Sequence, residues 1–400
     1  MLLLSLCLIL LLGIVLSFLC EKLRLPVLIG YLAVGIILGP FVLNLIDVRL
    51  LHISEELRKI ALIFILIRAG LSLDFSELKK MGRPSLLLSF VPAIFELIAI
   101  GLLTPLFFPI SYLDAFILGS VLAAVSPAVV VPRMIQMVED KQGTAKGIPQ
   151  MIVAGSSIDD VVVIVIFTAL TTVATGDSIG VLTYFNVPLA VSLGIASGII
   201  IGLLLVWFFK KAHIRDTIKV IIICAISFGF VALETLLSKT IGYSGLLATI
   251  TMGVVIMSRY KVLAERLSQK YSKLWVVAEI ILFVMVGATV DIHYFMDNLG
   301  LGILLILCGL MIRAIGVFVS LIKTKLNQKE KLFCAIAYLP KATVQAAIGG
   351  IPLALGILSG DFILSIAVVA ILFTAPLGAF AIDYSKHKLL ETKKVDTKHA

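Results

Sequence analysis

Charge is scarce in this chain. Lys and Arg number 33 and Asp and Glu 24 among 400 residues, 14% in all, against about 25% in soluble domains. Apolar residues make up 60% and the mean hydropathy is +1.16. That balance excludes an ordinary globular core and indicates a polytopic membrane protein. Cysteine is scarce as well: Cys7, Cys20, Cys224, Cys308 and Cys334 fall within or beside apolar stretches, without paired spacing or partner histidines. Neither a disulfide framework nor a zinc site is expected. No stretch between apolar runs is long enough for a soluble domain, and the one tail is Ser385–Ala400. The first run, Leu2 to Cys20, lacks a basic flank and a convincing small-residue cleavage site, so it is expected to stay as a helix. Organelle-targeting and lipidation motifs are also missing, which leaves a cell membrane as the expected location.

Windows of about 19 residues, with about 20 apolar residues per crossing, place spans near 2–20, 26–45, 58–74, 84–108, 111–132, 148–175, 182–209, 217–238, 242–258, 272–290, 298–323, 329–354 and 360–384. The predicted fold is therefore all-α, with thirteen transmembrane helices and the two termini on opposite sides. Loops after odd-numbered spans, with the tail, hold 26 of the 33 basic residues. Loops after even-numbered spans hold only Arg49, Arg58, Lys59 and Lys239. The positive-inside bias then puts the N-terminus outside and the C-terminus in the cytoplasm. The net charge of +9 is this bias summed, and no nucleic-acid partner is expected.

Three basic residues remain and lie inside spans, Arg68, Arg313 and Lys341, and they join Glu96, Asp159, Asp160 and Glu279 as the intramembrane charges. Asp159 and Asp160 are adjacent, with no other charge between Ile148 and Thr175. A carboxylate at mid-bilayer costs roughly 2.5–3.5 kcal/mol on insertion scales, so two of them imply a use. At about 1.5 Å rise per residue they sit roughly 17–18 Å from the inner end of their span, near the middle of a core about 30 Å thick. Glu96 and Arg313 fall at mid-depth too. Arg68 and Glu279 read as scaffold charges that snorkel or pair.

A shift of 217 residues maps Gly70-Leu-Ser-Leu-Asp74 onto Gly287-Ala-Thr-Val-Asp291, Glu96 onto Arg313 and Ser126 onto Thr343. The offset is seven spans, an odd number, so the second copy is inverted in the membrane, as in secondary transporters. Two spans are also interrupted. One carries Ser126-Pro127, and the other Pro340-Lys341-Ala-Thr343-Val-Gln345. Proline frees a carbonyl one turn earlier, and unpaired backbone at this depth is tolerated only where it lines a cavity or is buried in protein. Two discontinuous helices crossing at a midplane site are expected.

Consecutive helical residues point about 100° apart, so one aspartate should face the cavity squarely while the other turns to a neighbouring helix. Ser156 lies three and four residues earlier, on the same face. The oxygens on offer are the carboxylates of Asp159 and Asp160, the hydroxyls of Ser156, Ser126 and Thr343, and carbonyls freed near Val125. Such a set suits a hard monovalent cation. Two adjacent carboxylates titrate as a unit, so protons and cations compete for the same oxygens.

The runs Ser-Ser-Ile-Asp-Asp at 156–160, Ala-Val-Ser-Pro-Ala-Val-Val-Val-Pro at 124–132 and Pro-Lys-Ala-Thr-Val-Gln-Ala-Ala at 340–347 resemble the NHA-type sodium/proton antiporters of the cation:proton antiporter superfamily. The likeness covers nearly the whole chain. It implies a homodimer in which a core, about 84–175 and 298–384, carries the ion past dimerisation helices, about 1–74 and 217–290, in an elevator motion, with a linker helix near 182–209. By the same resemblance Asp160 is the ion-binding aspartate and Asp159 its partner, with Na+ held at both. Relatives with Asn at the first of these positions tend to be electroneutral. Glu96 and Arg313 are then each other's counter-ion. Many electrogenic relatives have lysine where this chain has Arg313, and arginine does not deprotonate in proteins, so their stoichiometry does not transfer. Lys341 is expected to compensate the partial charges where the broken helices cross. No cofactor is implied, only transported Na+ or Li+ and H+, and no enzymatic role. Exchange of K+ for H+ on the same fold stays open as an alternative, with a sodium-coupled organic solute symporter behind it. An intramembrane aspartyl protease would need its aspartates on different helices.

Overall fold

The computed structural model of the chain describes residues 2–23, 25–73, 82–175, 181–212, 214–237, 242–290 and 292–390. Asp74 and Asp291 of the repeated pentapeptide, Arg24, Lys79, Lys80 and Lys239 of the loops, and the tail beyond 390 lie outside the described residues. The chain is built of helices: α1 (Leu2–Lys22), α2 (Val27–Leu38), α3 (Val48–His52), α4 (Ser54–Ser72), α5 (Arg83–Leu88), α6 (Val91–Phe107), α7 (Tyr112–Leu122), α8 (Pro127–Glu139) and α9 (Ile148–Ala174). They continue with α10 (Val181–Lys211), α11 (Asp216–Leu237), α12 (Gly245–Arg259), α13 (Lys261–Ala288), α14 (Ile292–Ser320), α15 (Gln328–Ala337), α16 (Thr343–Ile348), α17 (Ile351–Ala354) and α18 (Gly360–Leu389). In hydrocarbon each backbone N–H and C=O must be satisfied within the protein, which a helix does internally. Among the described residues nine helical stretches are long and apolar enough to cross a membrane, and three shorter apolar helices accompany them. This is an all-helical, multi-pass membrane fold.

Several boundaries differ from the sequence expectation for local reasons. Helix α2 closes at Leu38 rather than near 45 because Gly39 precedes Pro40 and is held extended, at φ −65° and ψ 171°, as the residue before a proline prefers. Helix α4 opens at Ser54 rather than 58. Glu55 and Glu56 suit its positive N-terminal end, and Lys59 pairs with both at 2.5 and 3.6 Å. Helix α13 starts at Lys261 rather than 272, since its first three turns are amphipathic, with Leu263, Ala264 and Leu267 buried. A hydropathy window averages such a face away.

Two compact units compose the chain. The first comprises Met1–Phe75, Ile164–Asp297 and Ala346–Val368. Its core gathers Ile67, Leu71, Met252, Ile256, Leu267 and Tyr271, and Tyr271 Oη donates to Val220 O at 2.8 Å. Small residues bring its backbones together. On α10, Gly194, Gly198 and Gly202 recur every fourth residue. A Cβ at these positions would stand 2.6 Å from Ser244 O, 2.6 Å from Ala248 O and 2.8 Å from Val255 Cβ. On α2 and α13, a Cβ at Gly35 would meet Val284 O and one at Gly287 would meet Leu32 O. Close backbone approach is how membrane helices gain packing without a hydrophobic drive between them. Gly198→Leu is accordingly expected to lower the thermal midpoint in detergent by an amount equivalent to at least about 1–3 kcal/mol of overpacking, and a melting scan equal to that of wild type would contradict this packing.

The second unit comprises Ser76–Val163, Asn298–Gln345 and Val369–Ala400. Its core includes Met134, Met137, Ile148, Phe333, Tyr338 and Ile382. Here α6 and α14 approach closely: a Cβ on Gly309 would stand 2.6 Å from Ile100 Cδ1, and one on Gly316 2.9 Å from Pro92 Cα. Pro92, Glu96 and Ile100 lie one turn apart on α6, as Gly309, Arg313 and Gly316 do on α14. The glycines above and below Arg313 let the helices meet, which sets Arg313 against Glu96.

Candidate functional site

Two interrupted stretches lie in the second unit. Residues 123–126 separate α7 from α8, and residues 338–342 separate α15 from α16. A helix end leaves up to four backbone groups unpaired, so the destination of each polar group in these breaks is informative. Ser126 N donates to Pro340 O at 2.8 Å, which ties the breaks to each other. Lys341 N donates to Thr374 Oγ1 at 2.9 Å. Val125 N donates to Asp159 Oδ2 at 2.8 Å. Ala123 O accepts from Arg313 Nη1. Ala124 O accepts from Gln345 Nε2 at 3.0 Å. The breaks are thus closed by specific partners, most of them side chains.

Five charges converge there. Arg313 Nη1 lies 2.7 Å from Glu96 Oε2, and Arg313 Nη2 lies 2.9 Å from Asp159 Oδ2. Lys341 Nζ lies 2.5 Å from the same Glu96 Oε2. The Arg313 guanidinium also stacks over the Tyr338 ring at 5.4 Å, a geometry favoured by the ring quadrupole. Glu96, Asp159, Arg313 and Lys341 are all within 1% of full burial, and Asp160 is 8% exposed. With three carboxylates and two cations, the formal sum is 2 − 3 = −1. One charge of the cluster is left without a counter-charge.

The predicted site residues fare differently. Glu96, Arg313, Lys341, Asp159 and Val125 form one connected network. Arg313 is shared between Glu96 and Asp159, rather than belonging to Glu96 alone, and Lys341 has a carboxylate partner rather than only helix ends to neutralise. Val125 contributes its N–H, not its carbonyl, to Asp159. Ser156 Oγ donates to Val153 O at 3.1 Å within its own helix. Ser126 Oγ, Thr343 Oγ1, Asp159 Oδ1 and Asp160 Oδ1 are buried with no hydrogen-bond partner among the described residues. Buried polar atoms without a partner are rare in native proteins. Arg68 and Glu279 lie in the first unit, within electrostatic reach of each other.

Sequence reasoning passed over Gln345, Thr374 and Tyr338. Gln345 and Thr374 are polar side chains in apolar runs, and that was the available signal. Tyr338 is fully buried and needs Gly155, where a Cβ would collide with its hydroxyl. Nothing in the spacing of the sequence links the two.

A family model described as sodium/hydrogen exchanger, transmembrane, matches residues 7–383. The chain belongs to this family. Among similar exchangers, sodium/hydrogen exchanger 9B2 of Mus musculus is 33% identical over 379 residues, covering 92% of this chain and 69% of its own length. Sodium/hydrogen exchanger 9B2 of Homo sapiens is 32% identical over 382 residues, covering 92% and 70%. Sodium/hydrogen exchanger 9B1 of Homo sapiens is 29% identical over 384 residues, covering 92% and 73%. The fold of this exchanger is similar to that of the sodium proton antiporter MjNhaP1 from Methanocaldococcus jannaschii at pH 8, with a TM-score of 0.81 and 21% identity over 96% of this chain and 97% of that one. The resemblance to NHA-type antiporters carried by the three motifs is borne out. The family is one of transporters, not enzymes.

Proposed function

We propose that this exchanger moves sodium or lithium against protons across the membrane, with the Asp159/Asp160 pair as the site of competition. The carrying observation is the buried Asp160 Oδ1 without a partner beside an aspartate already committed to Arg313. Asp159 is held by a guanidinium and a backbone N–H. Asp160 is the carboxylate left to change partners. The cluster's formal charge of −1 is cancelled by one proton or one sodium ion, and that equivalence makes the two cargoes mutually exclusive. Asp159 Oδ1, Ser126 Oγ and Thr343 Oγ1 are the further oxygens proposed to complete the coordination of Na+. Ser156 is proposed as a helper on the Asp160 helix, and Val125 as the donor that orients Asp159. Glu96, Arg313 and Lys341 hold the frame.

The remaining features belong to the same proposal. Thirteen helices, with the interrupted pair crossing at mid-depth, would carry the site past a dimerisation scaffold in an elevator motion. The units would divide as a core near 84–175 and 298–384, a scaffold near 1–74 and 217–290, and a linker near 182–209. A homodimer in a cell membrane, N-terminus outside and C-terminus cytoplasmic, is the proposed assembly, with no bound cofactor.

Purified protein in liposomes preloaded with a pH gradient tests the exchange. Addition of sodium or lithium is expected to dissipate the gradient, with potassium giving less than about a tenth of the response at equal concentration, a difference of about 1.4 kcal/mol in apparent affinity. A response to potassium equal to or above that to sodium would replace the cation assignment. No response to any cation would end the exchange reading.

A further inference from the structure

Gln345 is fully buried near the start of α16. Its Nε2 lies 3.1 Å from Val121 O, 3.4 Å from Leu122 O and 3.0 Å from Ala124 O. Three acceptors around one nitrogen fix the orientation of the carboxamide, because its oxygen could only repel them. Two hydrogens cannot serve three carbonyls fully, so Val121 and Ala124 take the shorter bonds and Leu122 shares. Arg313 Nη1 takes Ala123 O between them. Four consecutive carbonyls, 121 to 124, are therefore covered by donors from two other elements. They are the C-terminal end of α7, where unpaired carbonyls and the negative end of the helix dipole gather.

In transporters with broken helices such an end ordinarily ligates the cation. Here each of those carbonyls already accepts a hydrogen bond, which takes one of its two lone pairs and weakens it as a cation ligand. The partnerless oxygens at the breaks and on α9 are instead mostly carboxylate and hydroxyl, Asp159 Oδ1, Asp160 Oδ1, Ser126 Oγ and Thr343 Oγ1 among them, with the side-chain amide oxygens of Gln150 and Gln345 beside them. The distinction matters for selectivity, because cages of backbone carbonyls are the ligand set that suits potassium, whereas small hard ions gain most from concentrated negative charge.

We propose that Gln345 is a specificity-determining positioning residue: by occupying the carbonyls of Val121, Leu122 and Ala124 it turns the passing cation toward carboxylate and hydroxyl ligands. This rests on the exchange reading given above. Gln345→Met keeps the volume and removes the donors. In liposomes, the ratio of apparent KM for potassium to that for sodium is expected to fall about five- to tenfold, the worth of one or two neutral hydrogen bonds redistributed between the ions, while maximal sodium-driven rates change less. Gln345→Asn, a methylene shorter, should move the ratio in the same direction, and it replaces the Met variant if that one does not elute as a single species. Loss of rate with the KM ratio unchanged assigns Gln345 a purely structural role and overturns the proposal. Unaltered rates and ratios in a folded variant overturn it as well. A wild-type protein that moves no protons with any cation is the distinct signature of a failed exchange reading, which takes this proposal with it.

Discussion

Asp160→Asn is expected to reduce sodium-driven proton movement in liposomes to the level of protein-free vesicles. Asparagine has nearly the same shape, so packing around the position survives. What it removes is the charge that a cation must find and the group that a proton must occupy. Asp160 is the suited target because its Oδ1 is free of partners, whereas Asp159 Oδ2 is tied to Val125 N and Arg313 Nη2. Asp159→Asn separates the roles. It keeps an oxygen for the Val125 N–H but withdraws the charge facing Arg313, so it should cost thermal stability as well as transport. Exchange by Asp160→Asn at the wild-type rate, with the protein monodisperse, would remove Asp160 from the mechanism.

Glu96→Ala is expected to cost about 3–5 kcal/mol of stability, the range for removing one partner of a buried ion pair. The cost arises on two sides at once, since Arg313 and Lys341 both lean on Glu96 Oε2 at 2.7 and 2.5 Å. Removing the carboxylate strips Lys341 of its ion-pair partner and leaves Arg313 only Asp159. Pairing Glu96→Ala with Lys341→Met deletes one of those stranded charges, and should recover part of the loss. A double-mutant cycle on thermal unfolding in detergent reads that coupling, expected at about 0.5–3 kcal/mol for residues in contact. Strict additivity would mean that Lys341 and Glu96 do not depend on each other. The cation preference measured on any surviving Glu96→Ala protein should stay near wild type, because Glu96 is committed to Arg313 and Lys341 through Oε2.

Much of this was legible in the residues themselves. The scarcity of charge fixed a membrane fold, and the prolines at 127 and 340 located both breaks. The pairing of Glu96 with Arg313 was implied by the resemblance to NHA-type antiporters, and a shift of 217 residues placed the two in equivalent spans. The sharing of Arg313 with Asp159 was not legible, because it depends on which way α9 is rotated. Adjacent aspartates leave that rotation ambiguous by about 100°. The second cation on Glu96 was hidden for a similar reason: Lys341 sits in a non-helical segment, where spacing carries no information about direction. The N–H that Val125 gives to Asp159 was not legible either, since a proline break frees both kinds of group. Gln345 shows the limit most clearly. The sequence marks it as a polar residue in an apolar run, and only the fold brings the carbonyls of Val121, Leu122 and Ala124 to it.

The contact between Gly35 and Gly287 bears on how the protein is made. The two residues stand 287 − 35 = 252 positions apart, and the backbone of one helix occupies the space a side chain would need on the other. At a synthesis rate of about 5–20 residues per second, α2 is in the bilayer for roughly 13–50 s before α13 exists to cover it. Through that interval its small-residue groove is open to lipid, to other nascent helices and to a second copy of the same unfinished chain. The first unit therefore cannot close around this contact until the ribosome has delivered α13.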